Sequence, residues 1–279
     1  GIAMPTKSSA RWISDGNSMV AEFEAAGYAT DLQYAEDDIP NQLAQIENMV
    51  TKGVNVLVIA AIDGTTLSNV LENAHYAGIK TIAYDRLILN TDAVDYYVTF
   101  DSIAVGEAQG QYLVDNASGE GNPLYLYAGA ATDNNAFLFF EGAWNVLQPK
   151  IADGTFVIKN SSEAIALQDK ADLSRDEQAK IIGQITTNWD FNDAKNLAEA
   201  NLTAATADQK GDVFILAPND GTARAIADAF AADADVSSYV VTGQDAEAAG
   251  VGLEIAFEAV FHAEVGHAGL LLLCHMVKW

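Results

Sequence analysis

The chain predicts an α/β fold of two similar Rossmann-like lobes, each a parallel sheet with helices on both faces. Three observations carry that prediction. Helical and strand patterns alternate from residue 1 to residue 242, which implies parallel strands linked by right-handed crossovers. Apolar, β-branched runs such as Val54–Ala60, interrupted there only by Asn55, are what a strand buried on both faces looks like. The 279 residues lie at the size where one hydrophobic core gives way to two, and they contain two series of about five strands.

The elements follow in order. Gly1-Ile2-Ala3-Met4-Pro5 reads as the end of a short strand. Residues 14–27 place Met19, Val20, Phe23 and Ala26 at helical spacing, and Gly27 closes that helix. Thr30–Tyr34 reads as a strand, and Pro40 stands near the start of a helix with Leu43, Ile46, Met49 and Val50 on one face, ended by Lys52-Gly53. Val54–Ala60 is the next strand, followed by a helix over 66–75 and strands over Lys80–Tyr84 and Tyr96–Phe100. The same grammar then predicts helices over 104–117, 134–148, 175–187, 192–205 and 221–231. Strands are expected at Leu124–Ala128, Phe156–Lys159, Val213–Ala217 and Tyr239–Thr242. The change of lobe falls near Thr99–Asp101.

Composition narrows the function classes. Acidic residues outnumber basic ones 39 to 14, a formal charge of −25. Such a surface repels phosphate backbones and anionic lipid, so nucleic acid is not an expected partner. The apolar run Leu270–Leu273 falls far short of the ~20 residues needed to cross a bilayer. With Cys274 the single cysteine, no internal disulfide forms. His262, His267 and His275 lie near it but without tight zinc spacing, so neither a metal nor a cofactor is expected. No dinucleotide, phosphate-loop or nucleophile-elbow pattern occurs. The opening residues carry no secretion signal, which fits a secreted protein whose signal has been removed as well as a cytosolic one; only the resemblance drawn below favours the first.

Ligands of doubly wound sheets bind at the carboxyl ends of strands. The residues there are Arg11-Trp12, Asp85-Arg86, Asp133-Asn134-Asn135, Asn219-Asp220 and Gln244-Asp245. Any one of them is explained as well by helix capping, which favours Asp and Asn. Five together, with two of the four arginines, are harder to explain as caps. Arg donates in a fixed fork, Asp accepts and Asn does both, so the set can saturate vicinal hydroxyls. Trp12, read as lying in a loop, and Trp189 in Asn188-Trp189-Asp190-Phe191 are either core residues or platforms for the C–H face of a sugar ring.

The segments GIAMPTKSSARW (1–12), DDIPNQLAQIENMVTKGVNVLVIAAIDGTTLSNVL (37–71), GIKTIAYDRL (78–87), TDNNAF (132–137) and VTGQDAE (241–247) resemble a known family. It is the periplasmic solute-binding proteins for xylose and multiple sugars, which serve sugar ABC transporters and have the type I periplasmic binding fold. The resemblance implies a protein without catalysis that closes by hinge motion on one monosaccharide and presents it to a membrane permease. It implies sugar ligands at Arg11, Trp12, Asp85, Arg86, Asp133, Asn135, Asn219 and Asp245, with Trp189 as a second platform and Lys7 as a further candidate. It also implies a periplasmic location and a chemoreceptor or sensor kinase as a further partner. The resemblance ends after Glu247. There the family continues to a Val-Tyr/Phe-Lys strand end whose lysine reaches the sugar, whereas Val260-Phe261 is here followed by His262. The resemblance also implies a crossover hinge between the lobes and a last segment that completes the first, giving lobes of 1–102 with 247–279 and of 103–246; residues 248–279 are expected to pack on the first lobe as a substitute helix, through the stripe from Leu253 to Leu272.

Two other readings remain at this point. One is the sugar-sensing domain of a regulator. The other is an isomerase or lyase using Asp85, Asp133 or Asp245, which carboxylates beside arginine disfavour because they stay ionised.

Overall fold

The computed structural model describes residues 1–247 and 275–278. They form two compact units. One comprises Gly1–Phe100, Thr132–Asn134 and the strand His275–Lys278; the other comprises Asp101–Ala131 and residues 135–247. The chain therefore leaves the first unit at residue 100 and returns to it for three residues before the second unit is completed.

The first unit is a six-stranded sheet. Its strands are β1 (Ile2–Met4), β2 (Leu32–Tyr34), β3 (Val56–Ile59), β4 (Lys80–Tyr84), β5 (Tyr96–Thr99) and β10 (His275–Lys278), in the order β10-β5-β4-β3-β1-β2. β10 pairs antiparallel with β5 and the other pairs are parallel. The helices are α1 (Ala10–Ala25), α2 (Ile39–Lys52) and α3 (Ser68–Tyr76). Alternate residues of the strands feed opposite cores. Ala3, Leu57, Ile59 and Ala83 pack with Ile46 and Met49 of α2 and Leu71 of α3. Ile2, Met4, Val58 and Ala60 pack with Trp12, Met19, Val20 and Phe23 of α1. Each such buried large side chain contributes roughly 1.5–3 kcal/mol. Asp38 caps α2 by accepting from Asn41 N, and Gly53 ends it at φ 76°, a left-handed conformation that costs glycine little.

The second unit is a four-stranded parallel sheet, order β7-β6-β8-β9. Its strands are β6 (Asn122–Leu126), β7 (Phe156–Ile158), β8 (Gly211–Leu216) and β9 (Val236–Val241). Its helices are α4 (Ser102–Asn116), α5 (Asn134–Ala152), α6 (Ser162–Ala166), α7 (Arg175–Ile185), α8 (Phe191–Ala204) and α9 (Asp220–Ala232). Leu124 and Leu126 face a core built with α5 and α7, while Tyr125 and Tyr127 face one built with α8 and α9. Both tyrosines find partners for their hydroxyls: Tyr125 donates to Gln209 O at 3.1 Å, and Asn201 Nδ2 donates to Tyr127 at 3.0 Å.

The structure corrects several expectations. The sheets have six and four strands among the described residues, not five each. α1 begins at Ala10 rather than at residue 14, so Arg11 and Trp12 lie in its first turn and not in a loop. Arg11, Ser14 and Gly16 give that half of the helix no apolar stripe; Gly16 is needed because a Cβ there would come within 2.5 Å of the Tyr34 hydroxyl. β6 starts two residues earlier than the apolar run, at Asn122. α5 continues through Pro149 to Ala152; the carbonyl partner that proline cannot reach is Asn145's, on an exposed residue. The short α6 has too few residues for a periodic signal. The last described residues, 275–278, form a strand rather than helix. The expected helical stripe from Leu253 to Leu272 lies outside the described residues.

Glycines bring α4 and α5 into backbone contact. A Cβ on Gly142 would lie 2.0 Å from Ile103 O, and one on Gly106 would lie 2.0 Å from Phe139 O. Gly183, in α7, has open space around it. Gly142→Ala is therefore expected to lower stability by about 1–3 kcal/mol through forced separation of the helices. Gly183→Ala should raise it by about 0.5–1 kcal/mol through helix propensity. Urea unfolding midpoints that move in the same direction for both variants would contradict this packing.

Candidate functional site

In the first unit, four of the expected residues form one connected group at the carboxyl end of β4. Asp85 follows the strand directly and takes a left-handed backbone, φ 62°. That conformation is held on every side: its N–H donates to Val98 O at 2.7 Å, while Tyr97 and Thr99 donate their hydroxyls to its carbonyl at 3.1 and 3.0 Å. Burial pushes the Tyr97 hydroxyl up to about 12, so it stays a donor. The Asp85 carboxylate pairs with Nη2 of Arg11. The next residue, Arg86, lies with Nε 3.0 Å from Asp133 Oδ2 and donates from Nη1 to Ala61 O at 3.1 Å. Asp85, Arg86 and Asp133 are all buried.

Trp12 lies under both cations. The guanidinium carbons of Arg11 and Arg86 are 4.3 and 5.1 Å from its ring centroid. A cation over an indole face is worth about 0.5–2 kcal/mol, more where water is excluded. Trp12 is 6% exposed and also belongs to the core beside Met4 and Val58. The ring thus belongs to the core and lies against two guanidinium groups at once.

Two residues that hold this group were not singled out from sequence. Asp15 Oδ2 accepts from Arg11 Nε at 3.1 Å, and the Tyr84 hydroxyl donates to the same oxygen at 3.1 Å. Burial, followed by the nearby Asp15 charge, raises the Tyr84 pKa, which keeps that proton in place. Arg11 and Asp15 stand at i and i+4, the spacing of a helical ion pair. That signal becomes readable only once the helix is known to begin at residue 10. Lys7 stands apart. It is exposed on the loop after β1, with its ammonium 5.2 Å from the Tyr34 ring centroid and its N–H 3.5 Å from Glu36 Oε2.

In the second unit, Asn219 and Asp245 come together: Asn219 Nδ2 donates to Asp245 Oδ2 at 3.3 Å. Asn219 also caps α9, its Oδ1 accepting from the Thr222 hydroxyl at 2.5 Å and Thr222 N at 3.4 Å. Capping and ligand candidacy thus coexist in one side chain. Both strand ends are tied together by Gln109 of α4, whose Nε2 donates to Pro218 O at 3.2 Å and Gly243 O at 3.0 Å. Asn135 is buried in the first turn of α5 and accepts from the Ser102 hydroxyl at 3.3 Å.

Trp189 lies in the loop between α7 and α8, as expected, with φ 60° following Asn188 at φ 52°. Its ring meets Phe139 edge-on at 6.2 Å and lies against the backbone of Gly129, where a Cβ would come within 2.1 Å of the indole. Thr187 anchors the loop by donating its N–H and hydroxyl to Ala128 O at 2.8 and 2.9 Å. Gly129 is a second requirement that sequence reading missed, since a single glycine after a strand carries no distinctive signal.

Among the described residues no group of His, Cys, Asp and Glu could hold a metal ion, and no helix is long and apolar enough to cross a membrane.

Comparison with known proteins gives this geometry its context. The periplasmic binding protein domain matches residues 1–253. The multiple sugar-binding periplasmic receptor ChvE of Rhizobium radiobacter is 47% identical over 266 residues, covering 92% of this chain and 70% of the receptor. The D-xylose-binding periplasmic protein of Escherichia coli K12 is 34% identical over 252 residues, covering 90% and 68%. A carbohydrate transporter solute binding protein from Chloroflexus aurantiacus, solved in complex with D-glucose, is 67% identical with a TM-score of 0.86, over 90% of this chain and 74% of that one. An ABC transporter solute binding protein from Clostridium phytofermentans with bound β-D-glucose is 38% identical with a TM-score of 0.77, over 90% and 74%. The chain belongs to the periplasmic binding protein domain family.

Proposed function

We propose that this chain is an extracytoplasmic receptor that captures one monosaccharide and delivers it to the permease of an ABC transporter. The ligand class is an aldopyranose such as xylose, glucose, galactose, arabinose or fucose. The observation that carries the reading is the group Arg11, Trp12, Asp85, Arg86 and Asp133. It combines buried guanidinium–carboxylate pairs with an aromatic face at a strand end. A sugar hydroxyl both donates and accepts, and a carboxylate held beside a guanidinium offers it one partner of each kind. Asn135, Asn219 and Asp245 offer further donors and acceptors from the second unit, and Trp189 offers a second aromatic surface; Lys7 is the peripheral member of the set. The names of the relatives support the same reading: several are sugar-binding periplasmic proteins, and two solved structures contain glucose. Periplasmic relatives support a location outside the cytoplasm. The role is binding without catalysis.

Isothermal titration against aldopyranoses tests this. Trp12→Ala and Asp245→Ala should each weaken affinity by about fivefold or more, since an aromatic contact is worth ~1 kcal/mol and a lost hydroxyl partner ~1–3 kcal/mol. Folded variants that bind like the parent would remove both residues from the site. No heat with any aldopyranose, with binding of an amino acid or peptide instead, would overturn the ligand class.

Gly129→Ala probes the second aromatic. The new methyl displaces the Trp189 ring, so near-ultraviolet circular dichroism should change and sugar affinity should fall by about fivefold or more. A shifted spectrum with unchanged affinity would show that Trp189 does not touch the ligand.

A further inference from the structure

Asp220, the first residue of α9, is 2% exposed. Its carboxyl Oδ2 accepts the N–H of Glu247 at 2.8 Å, and its own N–H donates to Gln244 O at 2.8 Å. Its Oδ1 is buried without a hydrogen-bond partner among the described residues. Residues 244–247 are thus tied to Asp220 at both ends, with Asp245 between the ties. A third tie comes from one turn along the same helix, where Arg224 Nη2 pairs with Glu247 Oε2 at 2.7 Å. The tied segment is strained: Asp245 has φ 99° and Ala246 φ 53°. Non-glycine residues hold such backbone only where the surroundings impose it.

We propose that Asp220 is a positioning residue, whose carboxyl group holds loop 244–247 in the strained conformation that presents Asp245 to the ligand. This rests on the monosaccharide reading above. The uncharged carboxyl suits that place beside two carboxylates better than the charged one. The charged groups that face the carboxyl are Asp245 and Glu247 on the loop and Arg224 on its own helix. Burial above all, with the two carboxylates adding to it, pushes the Asp220 pKa up to about 7, against the opposing effects of the Glu247 N–H and Arg224. Ionisation therefore falls in the neutral range. Above it, a third negative charge enters a buried position beside Asp245 and Glu247 and repels the loop. Asparagine at 220 keeps an acceptor for the Glu247 N–H and cannot ionise; alanine removes the tie.

The test uses the full chain, D-glucose and D-xylose as probes, titration calorimetry from about pH 6 to about pH 8.5, and hydrogen–deuterium exchange over 244–247. The parent's Kd should rise several-fold across that range, while Asp220→Asn keeps one Kd throughout. Asp220→Ala should bind more weakly at every pH and exchange the Glu247 amide faster than the parent does. Parallel pH profiles for the parent and Asp220→Asn overturn the proposal, as does an Asp220→Ala protein whose Glu247 amide and Kd match the parent's. Should Asp220→Ala fail to fold, the Asp220→Asn profile decides. If the parent binds no monosaccharide, the functional reading has failed, and the Glu247 exchange rate still decides whether the tie exists.

Discussion

Two arginines and two aspartates lie largely out of water at the end of one strand, and the rest of the first unit is arranged around keeping them paired. The Arg86 and Asp133 side chains are 7% and 1% exposed. A buried ion pair adds little net stability, because desolvation offsets most of the Coulomb attraction; removing one partner costs about 3–5 kcal/mol. Two such pairs beside one tryptophan are therefore poorly explained as glue. On the proposed reading they are donors and acceptors whose directions are fixed before a ligand arrives, so that little ordering entropy is lost on binding. This requirement accounts for otherwise costly features. Asp85 is held at positive φ by three hydrogen bonds, α1 starts early enough to bring Arg11 beside it, and the chain returns for Thr132–Asn134 to supply Asp133. Gly64 N, donating to Thr132 O at 3.2 Å, stitches that returning segment to the unit.

The second unit solves a different problem. Its ligand candidates sit where helices begin, and their positions are set by capping, by Gln109 bridging two strand ends, and by steric demand at Gly129. Here polar satisfaction and the proposed ligand presentation use the same atoms. A buried polar network of this kind specifies one geometry only if its members are satisfied. Asp220 Oδ1 and Arg224 Nη1, both buried without a hydrogen-bond partner among the described residues, mark a place where that condition is not met.

Much of this was legible in the sequence, for identifiable reasons. β3 was readable because a strand buried on both faces leaves a long apolar signal, and α2 because Pro40, an apolar stripe and Gly53 all agree. The group Asp85-Arg86 and Asp133-Asn134-Asn135 stood out because charged and amide residues directly after apolar strands are conspicuous. Trp12 was misplaced into a loop because the first two turns of α1 are chosen for Arg11, Asp15 and close packing at Gly16 rather than for periodicity. Asp15, Tyr84, Gln109 and Gly129 were missed for one reason: each acts through another residue, and that dependence exists only in three dimensions.

The central claim is that the paired charges around Trp12 exist to hold the hydroxyls of a monosaccharide, and a crystal structure of the protein grown with D-glucose tests it most directly. The account predicts a pyranose ring contacting Trp12, with its hydroxyls bonded to Arg11, Asp85, Arg86 and Asp133. A sugar bound elsewhere, or these four side chains paired only with one another beside an occupied site, would contradict it.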